Sequence, residues 1–369
     1  MIMKKLTSYC SLNMGQSPDS KTYNTNGEGM PFYQGNADFG VIHPVTRVWC
    51  SQPVKKAKKG DILISVRAPI GAMNIANEDC CIGRGLAALT PFAETSTEFL
   101  YYAVQSRVDS LIAQGTGSTF KAISKKVLEE TLLPSFSKKE QVDIIRKLGL
   151  VDSAIAERQK QLDLLKQLVK SRFIEMFIGQ GYPTKTIDEV SLVKGEYGAQ
   201  SASVEYDPSR PRYVRITDIN DDGTLNDDFV SSINPIDDEQ YRLEYGDFMF
   251  ARMGATVGKT YAFIEGNQIF AGYLIRYKLN QEIINPRYLY WYTRLDEYWN
   301  WVKLNQSGAA QPGINAKKYG SLQVPVPPME LQEQFAAFVK QTDKSKFEIQ
   351  QSLEKLEILK KSLMQQYFG

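Results

Sequence analysis

The 369-residue sequence contains one histidine, His43, and with it goes almost every route to a zinc site or a histidine-based catalytic triad. Cysteine is nearly as scarce. Cys10, Cys50, Cys80 and Cys81 form no CxxC or Cys/His metal spacing, and four thiols in a chain of this size do not make a disulfide scaffold. No apolar run approaches 18 residues and no signal-peptide pattern follows the opening MIMKKL, so a reduced, cytoplasmic protein with no membrane partner is expected. Neither sign of charge prevails: 44 basic residues face 42 acidic ones for a net charge of +2. A global field that would gather nucleic acid is therefore missing, and any such binding must come from local patches.

Catalytic signatures are missing too. Gly254-Ala-Thr-Val-Gly258-Lys-Thr260 resembles a phosphate-binding loop, yet only three residues separate its glycines where four are needed, and Met253 stands where the first glycine belongs. Pro18-Asp-Ser-Lys21 lacks the spaced second carboxylate of a nuclease site, and Gly83-Arg-Gly85 is too short for a dinucleotide loop. No Asn/Asp-Pro-Pro-Tyr/Phe stretch is present to hold a flipped base for amino-methylation, nor a glycine-rich loop for S-adenosylmethionine. The chain is expected to carry no cofactor and to be non-catalytic by itself.

What the sequence does contain is a long helix and its echo. Ser137 and Glu140 form a capping box, and Gly179, Gly181 and Pro183 supply a stop. Between them Ile144, Leu148, Val151, Ile155, Arg158, Leu162, Leu165, Val169, Arg172 and Met176 recur at a 3-4 spacing that suits a coiled-coil seam. A helix of roughly 40 residues is about 60 Å long and needs a partner to cover such a stripe. Adding 191 to each number lands on residues 328–368, where Phe335, Val339, Ile349, Leu353, Leu356, Leu363 and Tyr367 occupy the same seam. From 117 to 177 the two registers share 14 identities in 61 positions. Chance at about one in sixteen would give roughly four, so the chain is read as a duplication.

The repeat extends beyond the helices. Lys5 to Gly15 faces Lys185 to Gly195, Gly60-Asp61 faces Gly246-Asp247, and Leu100-Tyr101 faces Leu289-Tyr290. Segments 61–66, 213–217, 248–250 and 273–277 are β-branched and aromatic, bounded by Gly, Asn and Asp, and read as strands of a twisted sheet. Segments 97–106 and 286–293 read as short covering helices, and Leu133-Pro134-Ser135-Phe136 and Val324-Pro-Val-Pro-Pro328 as extended hinges. The expected fold is α+β: a mixed globular head at 1–136, a central long helix at 137–180, a second head at 181–327 and a C-terminal long helix at 328–369, the two helices covering each other's stripe as a coiled coil.

This arrangement resembles the specificity subunit of type I restriction-modification systems. The residues that carry the resemblance are the two Gly-Asp strands, the Gly117-Ser-Thr-Phe-Lys-Ala-Ile-Ser124 stretch, the Leu-Pro turn before the first helix with its Pro-rich counterpart before the second, and the Glu140-Gln141 and Gln332-Glu-Gln334 helix openings. Ser135-Phe136-Ser137 departs from the pattern that Pro327-Pro328 keeps. The resemblance implies that each head is a target-recognition domain reading half of a split sequence in double-stranded DNA. It implies that the two helices pack antiparallel as a spacer and as the platform for two methyltransferase subunits, with restriction subunits added to them and S-adenosylmethionine, Mg²⁺ and ATP on those partners.

Two heads on a rod imply a bipartite target whose gap the rod sets, of the order of half to one helical turn of DNA. Most positions differ between the heads, so the half-sites are expected to differ and the target not to be a palindrome. Base edges and phosphates call for Arg, Lys, Asn, Gln, Ser and Thr near glycines that permit close approach. In the first head these are Tyr33, Gln34 and Asn36, Arg67, Arg84, Ser118, Thr119 and Lys121. In the second they are Arg212, Arg215, Arg252, Lys259, Gln306, Ser307 and Gln311. The lysine run Lys55, Lys56, Lys58 and Lys59 reads as a solvated face or a phosphate contact. A second reading stays open, a non-enzymatic scaffold whose heads grip proteins, and the near balance of charge is its support.

Overall fold

The computed structural model describes residues 2–117, 121–233, 239–308 and 311–369. The chain divides into two compact units, one comprising residues 1–159 and 350–369, the other residues 160–349. Each unit therefore contains one head and half of each long helix.

In the first head, strand Met3–Lys5 pairs antiparallel with Leu132–Pro134, so the hinge begins as a strand that ties the start of the head to its end. A four-stranded antiparallel sheet follows in the order Cys10–Met14, Leu86–Pro91, Ile62–Ser65, Met73–Ile75. A second sheet runs Tyr23–Asn24, Trp49–Cys50, Met30–Tyr33, Cys80–Ile82, Lys56–Ala57, with Met30–Tyr33 and Cys80–Ile82 parallel. The second head repeats this plan. Thr184–Thr186 pairs with Gln323–Pro325; Ser191–Tyr197, Leu274–Leu279, Asp247–Ala251 and Thr260–Ala262 form the four-stranded sheet. Ser203–Glu205, Ser231–Ile233, Arg212–Val214 and Gln268–Phe270 form the other, again with one parallel pair. Each head thus holds two main sheets where one was expected. The strands of the second sheet are two to four residues long, too short for alternation to announce them.

The repeated Gly-Asp pair turns out to be a turn. Gly60 and Gly246 have φ of +89° and +98°, a region that costs any residue with a Cβ. The aspartate after each closes the turn with its own side chain, Asp61 accepting from Lys58 N at 2.8 Å and Asp247 from Glu244 N at 3.0 Å. Burial pushes both carboxyls up from the ordinary carboxylate range, against the lowering by the N–H that each accepts.

The long helices are Lys138–Phe177 and Met329–Phe368. Ser137 N donates to Glu140 Oε2 at 2.7 Å, as the capping box requires. In the first unit Ile144 and Leu148 of the central helix share a core with Phe368 of the C-terminal helix, and Lys360 reaches Asp152 at 2.7 Å. In the second unit Val169, Phe173 and Phe177 share a core with Phe335 and Val339. Within each unit, then, one helix begins where the other ends, which is antiparallel packing. The seam differs from its expected register at the far end of the central helix. Arg172 is exposed and Met176 only half-buried, while Phe173 and Phe177, one position on, are buried. A straight helix of 3.6 residues per turn drifts against a 3.5-residue stripe, and here the drift brings two phenylalanines onto the head's aromatic core.

Residues identical in both repeats hold helix to head. Gln141 is buried and donates to Phe136 O at 3.1 Å; Gln332 is buried and donates to Pro327 O at 2.8 Å and to Ile283 O at 3.0 Å. Asp152 accepts from Tyr102 Oη at 2.7 Å, and its counterpart Asp343 from Arg287 at 3.4 Å. Phe368 packs on Phe99 and Phe136, its counterpart Phe177 on Tyr288 and Phe335.

All four cysteines are buried free thiols, and burial pushes Cys10 and Cys80 up to about 12 and Cys81 to about 11. A thiol-reactive dye at pH 8 is expected to leave the native protein unlabelled and to titrate four thiols in denaturant. Rapid native labelling would contradict this packing.

Candidate nucleic-acid interface

A run of backbone hydrogen bonds joins three loops at one edge of the first head. Gly83 N donates to Tyr33 O at 2.8 Å, and Val66 N to Gly85 O at 2.9 Å. Ile123 N then donates to Val66 O at 2.9 Å and Ala68 N to Lys121 O at 3.0 Å, while Thr116 and Ala122 exchange a pair of backbone bonds. The second head has the same run. Ala271 N donates to Val214 O at 2.9 Å, Arg252 N to Tyr273 O at 3.0 Å, Ile314 N to Arg252 O at 2.9 Å and Gly254 N to Pro312 O at 2.9 Å. Ser307 and Gly313 exchange a pair of backbone bonds as Thr116 and Ala122 do. Glycine is required at one of these crossings, because a Cβ on Gly85 would lie 2.2 Å from the Gln34 carbonyl oxygen.

This junction gathers many of the expected residues. In the first head Gln34, Arg67, Arg84 and Lys121 are exposed and Asn36 is half-buried beside them. In the second, Gln306, Ser307 and Gln311 are exposed, and Arg252 lies 4.7 Å over the ring of Tyr197. Such a guanidinium is held flat by the aromatic face while its donors stay available. Arg252 aligns with Val66 and not with Arg67, whose counterpart is Met253, so the two heads place their arginines one residue apart.

Four of the expected contacts do other work. Tyr33 is 0% exposed and its hydroxyl is bonded to Thr46 Oγ1 at 2.7 Å, which makes it a core residue. Arg215 is engaged by both oxygens of Asp218 and donates to Phe229 O at 2.8 Å. Arg212 pairs with Asp227 at 2.7 Å and donates to Asn226 O. Lys259 donates to Ile219 O at 3.1 Å and pairs with Asp221 at 2.8 Å. These three cations tie down the polar loop 218–229, and their spacing from its acidic residues was invisible before folding. Ser118 and Thr119 lie outside the described residues.

The structure adds residues that the sequence concealed. Tyr273 is 57% exposed at the turn into strand Leu274–Leu279, where the first head has Gly85. Its aromatic neighbours disguised it as part of the strand. Gln200 is exposed beside Gly272, and in the first head Ser17 Oγ accepts from Arg84 N at 3.3 Å. Among the described residues no His, Cys, Asp and Glu groups converge to hold a metal.

The family model for the type I restriction modification DNA specificity domain matches residues 2–167 and again 181–360. The chain belongs to that family. A putative type I restriction enzyme specificity subunit of Methanocaldococcus jannaschii is 40% identical over 163 residues, which is 44% of this chain and 38% of the relative. A second specificity subunit of that organism is 23% identical over 245 residues, 58% of this chain and 57% of the relative. The matched region thus spans about two fifths to three fifths of these curated relatives. The crystal structure of a type I S subunit from M. genitalium covers 100% of this chain and 96% of its own at TM-score 0.60 and 17% identity, a likeness of fold. The HsdS subunit from Thermoanaerobacter tengcongensis is 44% identical across 42% of this chain and 38% of its own, with TM-score 0.39.

The pairing pattern separates structural arginines from free ones. Arg215→Ala should lower the stability of the second head by about 1–3 kcal/mol, because it strands the buried Asp218 carboxylate. Arg67→Ala should change stability by less than about 0.5 kcal/mol. Thermal melts of the two variants check this.

Proposed function

We propose that this chain is the DNA-specificity subunit of a type I restriction-modification complex and is not itself catalytic. Each head reads one half of a bipartite, non-palindromic target in double-stranded DNA. The paired helices set the gap and dock two methyltransferase subunits, to which restriction subunits are added; S-adenosylmethionine, Mg²⁺ and ATP act on those partners. One observation carries this reading: the same loop junction is built twice, on the same scaffold, from different side chains. A repeated frame with exchanged contents is what two unlike half-sites demand. The first junction offers Gln34, Arg67, Arg84 and Lys121, the second Arg252, Tyr273, Gln306 and Gln311, all groups suited to base edges and phosphates.

Partner docking is supported by apolar side chains that the helix seam leaves uncovered. Val142, Leu150, Ile358 and Leu359 are exposed in the first unit, and Leu164, Leu168, Ile174 and Phe347 in the second. Clusters of exposed large apolar residues on long helices mark protein-binding surfaces.

With the methyltransferase partner added, Arg67→Ala and Arg252→Ala should each weaken target binding by about 1–3 kcal/mol and relax preference in one half-site only, as read by gel shift at two salt concentrations. Unchanged affinity, salt slope and preference would remove these residues from the interface. An assembled complex that retains no DNA would favour the protein-gripping scaffold instead.

The units divide between Gln159 and Lys160 in one helix and between Ile349 and Gln350 in the other. A heptad inserted after Gln159 and another after Gln350 adds about 10 Å of helix, equivalent to about three base pairs. Mapping modified bases in a host carrying the lengthened chain should show the gap widened by that amount and both half-sites unchanged. A gap of the old length would mean that the helices are not the ruler.

A further inference from the structure

The second unit contains a cavity of about 620 Å³ between the short helix Pro286–Tyr292 and segments of both long helices. Its size falls in the range of small-ligand sites, about 300–1,000 Å³. One wall is aromatic, formed by Tyr290 and Trp291, and Ile264 and Val339 extend the apolar surface. The rim is cationic. Lys346 lies 6.0 Å over the Trp291 ring, and Lys166 and Lys170 are exposed one turn apart on the central helix, Lys166 near enough to Asp222 for its charge to favour that carboxylate.

The two carboxylates of the cavity are already engaged. Asp343 accepts from Arg287 and Lys346, and Asp222 from the Thr224 backbone N and hydroxyl at 3.0 and 2.6 Å. The fifth cation, Arg294, is held over Tyr290 at 4.0 Å and bonded to Thr260 O at 3.0 Å, so its charge stays but its donors are spent. Two lysines with no ion pair among the described residues, Lys166 and Lys170, beside an aromatic wall suit a ligand that is anionic at one end and flat at the other.

The first repeat shares the framework but not these side chains. The N-caps Ser96 and Asn285 align Arg287 with Glu98, Trp291 with Tyr102 and Arg294 with Gln105. The helix register aligns Lys166 with Glu357 and Lys346 with Ile155. Two cations become carboxylates and two become neutral, and Tyr102 is bonded to Asp152. A partner that docks alike on both repeats would not call for charge reversal in one of them. The occupant is specific to the second unit.

We propose that this cavity binds a small organic anion with a planar ring, of mononucleotide chemistry, its phosphate on Lys166 and Lys170 and its ring against Trp291. The test is equilibrium dialysis of the full chain with AMP at physiological ionic strength, with adenosine and inorganic phosphate as the two half-ligands. Saturable binding of one AMP per chain is expected, tighter than either half. Lys166→Glu with Lys170→Glu should weaken it about tenfold or more, and Trp291→Leu should also weaken it. Lys361→Glu, the first-repeat counterpart of Lys170, should leave it unchanged. Both lysines are exposed, so the charge-reversed chain is expected to melt with the parent. The proposal is overturned by absence of saturable AMP binding, by equal binding to the double variant, or by phosphate binding as tightly as AMP.

Discussion

Neither long helix buries its whole apolar stripe in its own head, where only its first half packs, and the molecule depends on how the rest is covered. The last turn of each helix is inserted into the core of the head that the other helix follows. Phe368 sits against Phe99 and Phe136, and Phe177 against Tyr288 and Phe335. A buried phenylalanine contributes several kcal/mol, so each head depends on a side chain from the far end of the other repeat. This exchange makes the duplicated chain one folding problem and not two, because a single repeat would lack the aromatic plug that completes its core.

Around that plug the two repeats keep what positions a helix and change what a partner would touch. Gln141 and Gln332 satisfy carbonyls at the hinge, Asp152 and Asp343 take donors from the short-helix layer, and Asp61 and Asp247 close the same turn. The loop junction keeps its backbone hydrogen bonds while its side chains differ almost throughout. Main-chain bonds define a surface without dictating chemistry, which lets one frame present Gly85 in one head and Tyr273 in the other.

Several of these features were legible before folding for a stated reason. The capping box, the stop at Gly179 and the 3-4 stripe are local signals, and a gapless repeat of 61 positions needs no third dimension. The second sheet of each head was not legible, since its strands are two to four residues long and two of them pair in parallel across some fifty residues. Arginine chemistry was legible only as a type. Arg67 and Arg215 have the same donors, and nothing near Arg215 in the chain says that Asp218 will take both ends of its guanidinium and Phe229 the rest.

Composition and periodicity along the chain were enough for the duplication, the two long helices and the poverty of catalytic groups, while the antiparallel sense of the helix pair is seen in the cores of the folded units. Tertiary structure alone decided which cations are free. It moved Tyr33 into the core, spent Arg212, Arg215 and Lys259 on a loop, and gathered Lys166, Lys346 and Trp291 from three separate elements around one cavity. The physical reason is that whether a charged or aromatic side chain meets solvent or a partner depends on the folded neighbourhood, mostly on residues brought together from distant parts of the chain. Even Arg215, whose partner Asp218 is three residues away, is fully spent only because the fold also brings the Phe229 carbonyl to it.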